Sequence, residues 1–169
     1  MDEKIRIRNL EDDEITKAHD LVASVFDEFV APLFSPEGVD QFKSFIEPSN
    51  LASRLREDSF ILVAEVNSEI IGVVGMRDWS HIFLLFVDGK HQGKSVATRL
   101  VHAALQRCEV EGHKPDKVTV NSSPNAVGAY KMMGFVQTAE EEIRHGIRAL
   151  PMAMSPSSTW TEKEVNSET

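Results

Sequence analysis

Ile82-Phe83-Leu84-Leu85-Phe86-Val87 is apolar at every position, and no other segment constrains the fold as strongly. A short run of this kind reads as a central strand covered on both faces. After it, Asp88 to Gln92 forms a loop, and helical spacing then takes over. Val96, Leu100, Ala104 and Cys108 make one apolar row, Ala97, Val101 and Leu105 its neighbour, and Gly112 a C-terminal stop. Val118 and Val120 begin the next strand. Strand, helix, strand in this order is a parallel crossover, whose helix N-terminus is a natural seat for an anion.

Around this unit the chain alternates in other ways. Ile5 and Ile7 alternate with arginines as a short strand, and Asp12 or Asp13 can cap a helix whose stripe runs from Ile15 through Val22 to Phe29. Pro32 and Pro36 end that helix, and Phe42, Phe45 and Ile46 suggest a second. Phe60 to Val66 and Ile70 to Met76, joined by Asn67-Ser68-Glu69, read as a hairpin. Ser123-Pro124 opens a short helix that stops at Gly134. Phe135-Val136 begins a strand, and Ile147 to Met154 forms the last. The expected architecture is α/β, with a mixed, mostly antiparallel central sheet flanked by helices. Residues 1–154 form one domain, and residues 155–169 are a polar tail expected to be disordered.

Composition removes several functions. Eighteen basic against twenty-seven acidic side chains leave a net charge of −9, which argues against a nucleic-acid partner. Lys90 to Lys117 departs from that balance, with six basic and three acidic residues, and so favours a small anionic ligand or a solvated helix face. The lone Cys108 and the absence of a leader-like start favour the cytoplasm, and no apolar stretch is long enough for a membrane. Histidine and cysteine spacings give no metal site.

In Gln92-Gly93-Lys94-Ser95-Val96-Ala97, small residues let backbone amides approach a ligand before the helix begins. Those amides lack intrahelical partners and point along the macrodipole. This segment, with the apolar strand before it, resembles motif A of the GNAT N-acetyltransferases, Gln/Arg-x-x-Gly-x-Gly/Ala. Gln92 and Ala97 match, and Ser95 stands where the central glycine is usual. Asn125-Ala126-Val127-Gly128-Ala129-Tyr130-Lys131-Met132-Met133-Gly134-Phe135 resembles motif B, with Gly128 unusual inside a helix. The resemblance runs from about Ile5 to Met154 and implies the GNAT fold.

It also implies roles. The backbone of Leu85, Phe86 and Val87 would pair with the pantetheine of acetyl-CoA. Gln92 and the amides of Gly93, Lys94, Ser95, Val96, Ala97 and Thr98 would take the pyrophosphate, with Asn121 and Asn125 close by. Tyr130, the one tyrosine of the chain, falls where many members place a general acid for the departing thiolate. The alternative is a packing residue. His81, at the start of the central strand, falls where members place a base; the alternative is a solvent-exposed strand end. Asp78 and Glu65 are weaker base candidates, and Cys108 is a packing residue.

The reading is an N-acetyltransferase moving the acetyl group of acetyl-CoA to a primary amine by direct attack in a ternary complex, without a metal. The chain's acidity leans toward a cationic acceptor, and Phe26, Phe29, Phe34, Phe42 and Phe45 toward one with apolar surface, unless they are simply core. A homodimer is compatible with the family. The rival is a non-catalytic acyl-CoA-binding module. A nucleotide-binding α/β protein is disfavoured by the absence of Walker and Gly-x-Gly-x-x-Gly patterns.

Overall fold

The computed structural model describes residues 4–55 and 58–156. Most of the expected polar tail therefore lies outside the described residues. In chain order the elements are β1 (Arg6–Asn9), α1 (Ile15–Phe29), α2 (Pro36–Phe45), α3 (Pro48–Arg54), β2 (Ser59–Val66), β3 (Glu69–Arg77) and β4 (His81–Val87). There follow α4 (Val96–Val110), β5 (Val118–Ser122), α5 (Val127–Met132), β6 (Val136–Gln137), β7 (Glu142–Arg144) and β8 (Ile147–Met154).

The strands lie in the order β1-β2-β3-β4-β5-β8-β6, with β7 paired to β8. Among the described residues only β4 and β5 pair in parallel; every other pair is antiparallel. This is the mixed, mostly antiparallel sheet that the alternation of patterns implied. The β2–β3 hairpin turns through Asn67 and Ser68, both at positive φ (51° and 68°), the twist that matches two-residue hairpins.

Helices cover both faces. On one, α4 and α5 bury Leu100, Val101, Ala104, Cys108 and Tyr130, joined by Phe135 just beyond α5, against Leu62, Val74 and Met76. On the other, α1 and α3 bury Val22 and Leu51 against Val63, Val73 and Leu84. Both rows of α4 are used as their spacing required. Cys108 is fully buried; its Sγ lies 3.5 Å from the Trp79 carbonyl oxygen, and burial pushes the thiol up to about 11. It packs in the core on the α4 side of the sheet.

Three local details differ from the sequence pattern. Neither Asp12 nor Asp13 caps α1. The Glu14 carboxylate instead accepts the Glu11 backbone N–H at 3.1 Å and two bonds from Arg8, at 2.7 and 2.8 Å, which also reaches Glu65. Paired in this way, the Glu14 carboxyl is held down to about 2. The strand after Gly134 shrinks to Val136 and Gln137. A further strand, β7, appears where no alternation is visible, because Glu142, Ile143 and Arg144 are all exposed. Its pairing comes from the turn at His145 and Gly146, again both at positive φ (52° and 82°).

That turn is held by backbone contact. A Cβ added at Gly38, near the start of α2, would collide with the carbonyl group of Gly146, and one at Gly146 with the Ser35 hydroxyl. Two glycines thus let the β7–β8 arm close onto α2. In an exposed helix Gly→Ala gains up to about 1 kcal/mol; here the methyl meets backbone that cannot rotate away. Gly38→Ala should therefore destabilise by about 1–3 kcal/mol in chemical denaturation; a gain would show that the arm is free to move.

Candidate active site

β4 and β5 hold together at only two register pairs, His81↔Thr119 and Ile82↔Val120, before they part. On its other edge β4 stays paired with β3 up to Gly72↔Val87, with one irregularity: the register skips Phe83 between the Met76 and Gly75 pairs. Phe83 is a bulge. It therefore shares a face with Leu84, and both pack with the α1–α3 layer, whereas Leu85 packs on the α4 side. The cause is opposite it: the Phe83 ring lies over Gly75, where an added Cβ would come within 2.7 Å. A glycine inside a strand was the sequence signal for this bulge.

The parting opens a cleft of about 1000 Å³ that passes between the strands and continues under α1 and α2. It explains why Phe83, Leu85 and Phe86 are half-buried and not covered on both faces as an all-apolar strand implies. At one end the chain enters α4. The Gln92 side chain donates to the Val87 carbonyl at 3.0 Å and ties the loop to the strand end. Gly93 has φ +79°, Ser95 φ +62°, and α4 starts at Val96. Arg99 N–H is the first to bond back into this turn, to the Ser95 carbonyl at 3.0 Å; among the described residues the amides of Gly93, Lys94, Ser95, Val96, Ala97 and Thr98 have no backbone acceptor. Consecutive free N–H groups at a helix start make an anion-binding concavity.

Most of the residues singled out in the sequence line this cleft. Leu85, Phe86 and Val87 lie on the β4 wall, and Gln92, Gly93, Ser95, Val96, Ala97 and Thr98 on the turn. Asn121, Asn125, Tyr130 and His81 complete the set. The Lys94 side chain is exposed and does not line it. Glu65, bound to Arg8, and Asp78, 3.7 Å from Arg77, also lie outside the lining. The sequence did not point to Phe83, Arg54 and Arg77, nor to the β7–β8 arm, which contributes Glu142, Arg144, His145 and Arg148. The lining does not follow the net charge: four arginines border the cleft against one carboxylate, Glu142.

Tyr130 is buried, its ring edge-on to Phe135 at 5.3 Å. Burial pushes its phenol far above the usual range, so it keeps its proton at any working pH. His81 Nδ1 lies 2.8 Å from Thr119 Oγ1. Burial, with the Arg77 charge adding to it, lowers the imidazole to about 4. It is neutral at physiological pH.

The family model described as "Acetyltransferase (GNAT) domain" matches residues 30–156, and the chain belongs to that family. Human N-acetyltransferase 8B is 31% identical over 88 residues, 46% of this chain and 39% of that protein, so the match spans about two fifths of the curated relative's length. A GCN5-related N-acetyltransferase from Rhodopseudomonas palustris superposes with a TM-score of 0.77 at 19% identity, covering 92% of this chain and 98% of that one. The PaiA N-acetyltransferase of Thermoplasma acidophilum, solved with coenzyme A, gives 0.76 at 16% identity over 90% and 99%.

Two consequences can be measured. Ser95 sits in the left-handed region, at a cost near 1 kcal/mol for a residue with a Cβ, and its hydroxyl makes no capping bond. Ser95→Gly should therefore raise stability by about 0.5–1 kcal/mol in urea unfolding; a loss would mean that the hydroxyl holds the turn. His81, with its folded value below that of the unfolded chain, contributes stability fully above about pH 6.5, lost as pH falls toward 4. In His81→Gln the decline of melting temperature over that interval should be shallower; an unchanged slope would place the proton uptake elsewhere.

Proposed function

We propose that the protein transfers the acetyl group of acetyl-CoA to a primary amine by direct attack, with both substrates bound at once. The observation that carries this reading is the run of six amides without backbone acceptors, Gly93 to Thr98, at the end of a strand that leaves its parallel neighbour after two pairs. Acetyl-CoA fits there. Its diphosphate matches the amide concavity, and the free edge of β4 over Leu85, Phe86 and Val87 offers N–H and C=O groups to amides of an extended pantetheine. It supplies an activated thioester.

The rest is done by side chains of this chain. Tyr130, neutral and in the same cleft, donates its O–H to the sulfur as it departs, where a thiolate would otherwise form in an apolar site. His81 takes a proton from the amine, directly or through water, in the tautomer whose Nδ1–H donates to Thr119 Oγ1 and leaves Nε2 as acceptor. With the imidazole unprotonated well below neutrality, the pH dependence near neutrality belongs to the amine, which must be uncharged to attack. The buried, raised Cys108 provides no covalent route.

Tyr130→Phe tests the assignment by free-thiol release from acetyl-CoA with a screen of amines. Turnover should fall about 100-fold or more while affinity for CoA, read by calorimetry, changes less than about twofold. Unchanged turnover would remove the phenol from the mechanism. CoA binding without turnover of any amine would favour a module that binds acyl-CoA and does not catalyse.

A further inference from the structure

At the end of the cleft opposite the amide turn, the sheet register sets Arg77, His81 and Thr119 side by side on one face. Arg54, the last residue of α3, reaches the same place. Its guanidinium lies 4.1 Å from the centre of the Phe45 ring, and Phe45 in turn meets the bulged Phe83 edge-on at 6.3 Å. Arg77 is close enough to act on the charges of both Arg54 and His81. Its own carboxylate neighbour, Asp78, is a loose one at 3.7 Å. Arg54 has no carboxylate partner among the described residues. Two guanidiniums that repel each other are thus held at the mouth of an aromatic cleft, with Asp78 beside Arg77 as the one neighbouring carboxylate among the described residues. An acidic chain has little general reason to gather positive charge there.

From this we infer that the acceptor amine also carries a carboxylate, seated between Arg54 and Arg77, and an apolar body resting on Phe45 and Phe83. The inference rests on the amine-acetylation reading and names its acceptor class. It replaces the cationic character suggested by net charge. The residual charge of the seat is one positive unit, which matches a carboxylate better than a dianionic phosphate. Guanidinium forks suit carboxylates, and a ring beneath one holds it flat. The carboxylate would be anchored next to His81, so an amine one or two bonds away is delivered to the base.

The test compares N-acetyl-L-phenylalanine with N-acetyl-L-phenylalaninamide, which differ in that carboxylate, for binding to the full chain loaded with CoA. Calorimetry should show the acid bound at least tenfold more tightly, with the preference shrinking in 0.5 M NaCl. Arg54→Gln and Arg77→Gln should each remove at least fivefold of it, and Arg77→Lys less, with CoA affinity and melting temperature unchanged. Equal binding of the two compounds, or a preference that survives both Gln variants and salt, overturns the inference. The parallel comparison of L-phenylalanine with phenethylamine by thiol release separates the two readings. Better turnover of phenethylamine sinks the carboxylate seat and leaves acetyl transfer standing. Tight, Arg-dependent binding of the acid with no turnover of any amine sinks acetyl transfer and leaves the seat.

Discussion

Two parallel strands that begin as neighbours and then part impose a demand on everything around them. Beyond Ile82 and Val120 the facing edges of β4 and β5 lose their mutual ladder, and unpaired backbone groups in an apolar interior cost about 1–3 kcal/mol each. The structure meets this by keeping β4 paired to β3 on its other edge, apart from the bulge at Phe83, and by opening the unpaired edge to a cleft, where water or a ligand can bond it. The bulge at Phe83 and the glycine beneath it re-aim the strand at the point of departure. The cleft is therefore a consequence of the sheet, and the helices are arranged around its two mouths.

Those mouths differ in chemistry. One is made of backbone: free amides, two positive-φ residues and a helix start, suited to a diffuse, multiply charged anion. The other is made of side chains: aromatic rings, a desolvated histidine and guanidiniums. Tyr130 lines the same cleft, buried and protonated. On the acetyl-transfer reading proposed above, the turn serves a shared co-substrate and the side-chain pocket a particular acceptor.

The β7–β8 arm shows how such a pocket is closed. Its strand β7 has no buried side chain, and its position depends on the Gly38–Gly146 approach rather than on apolar area. Elements held in this way carry no hydrophobic pattern, which is why periodicity did not reveal this one. Arg54 and Arg77 were equally illegible. Each is an ordinary exposed arginine in its own segment, and only the meeting of α3 with the β3–β4 ladder brings them together.

The amino-acid sequence alone determined the order of elements apart from β7, the antiparallel hairpin, the crossover and the small-residue entry to α4, because each is a local pattern of spacing or turn chemistry. The turn from Gln92 to Thr98 was legible for the same reason, and Tyr130 stood out only through the resemblance of its segment to motif B. Only the tertiary structure decided where β4 leaves β5, which residue of β4 bulges over Gly75, that His81 is desolvated beside Arg77, and that the cleft end holding Arg54 and Arg77 is basic in an acidic chain. Strand divergence, burial and charge clustering are properties of residues far apart in sequence, and no local spacing encodes them.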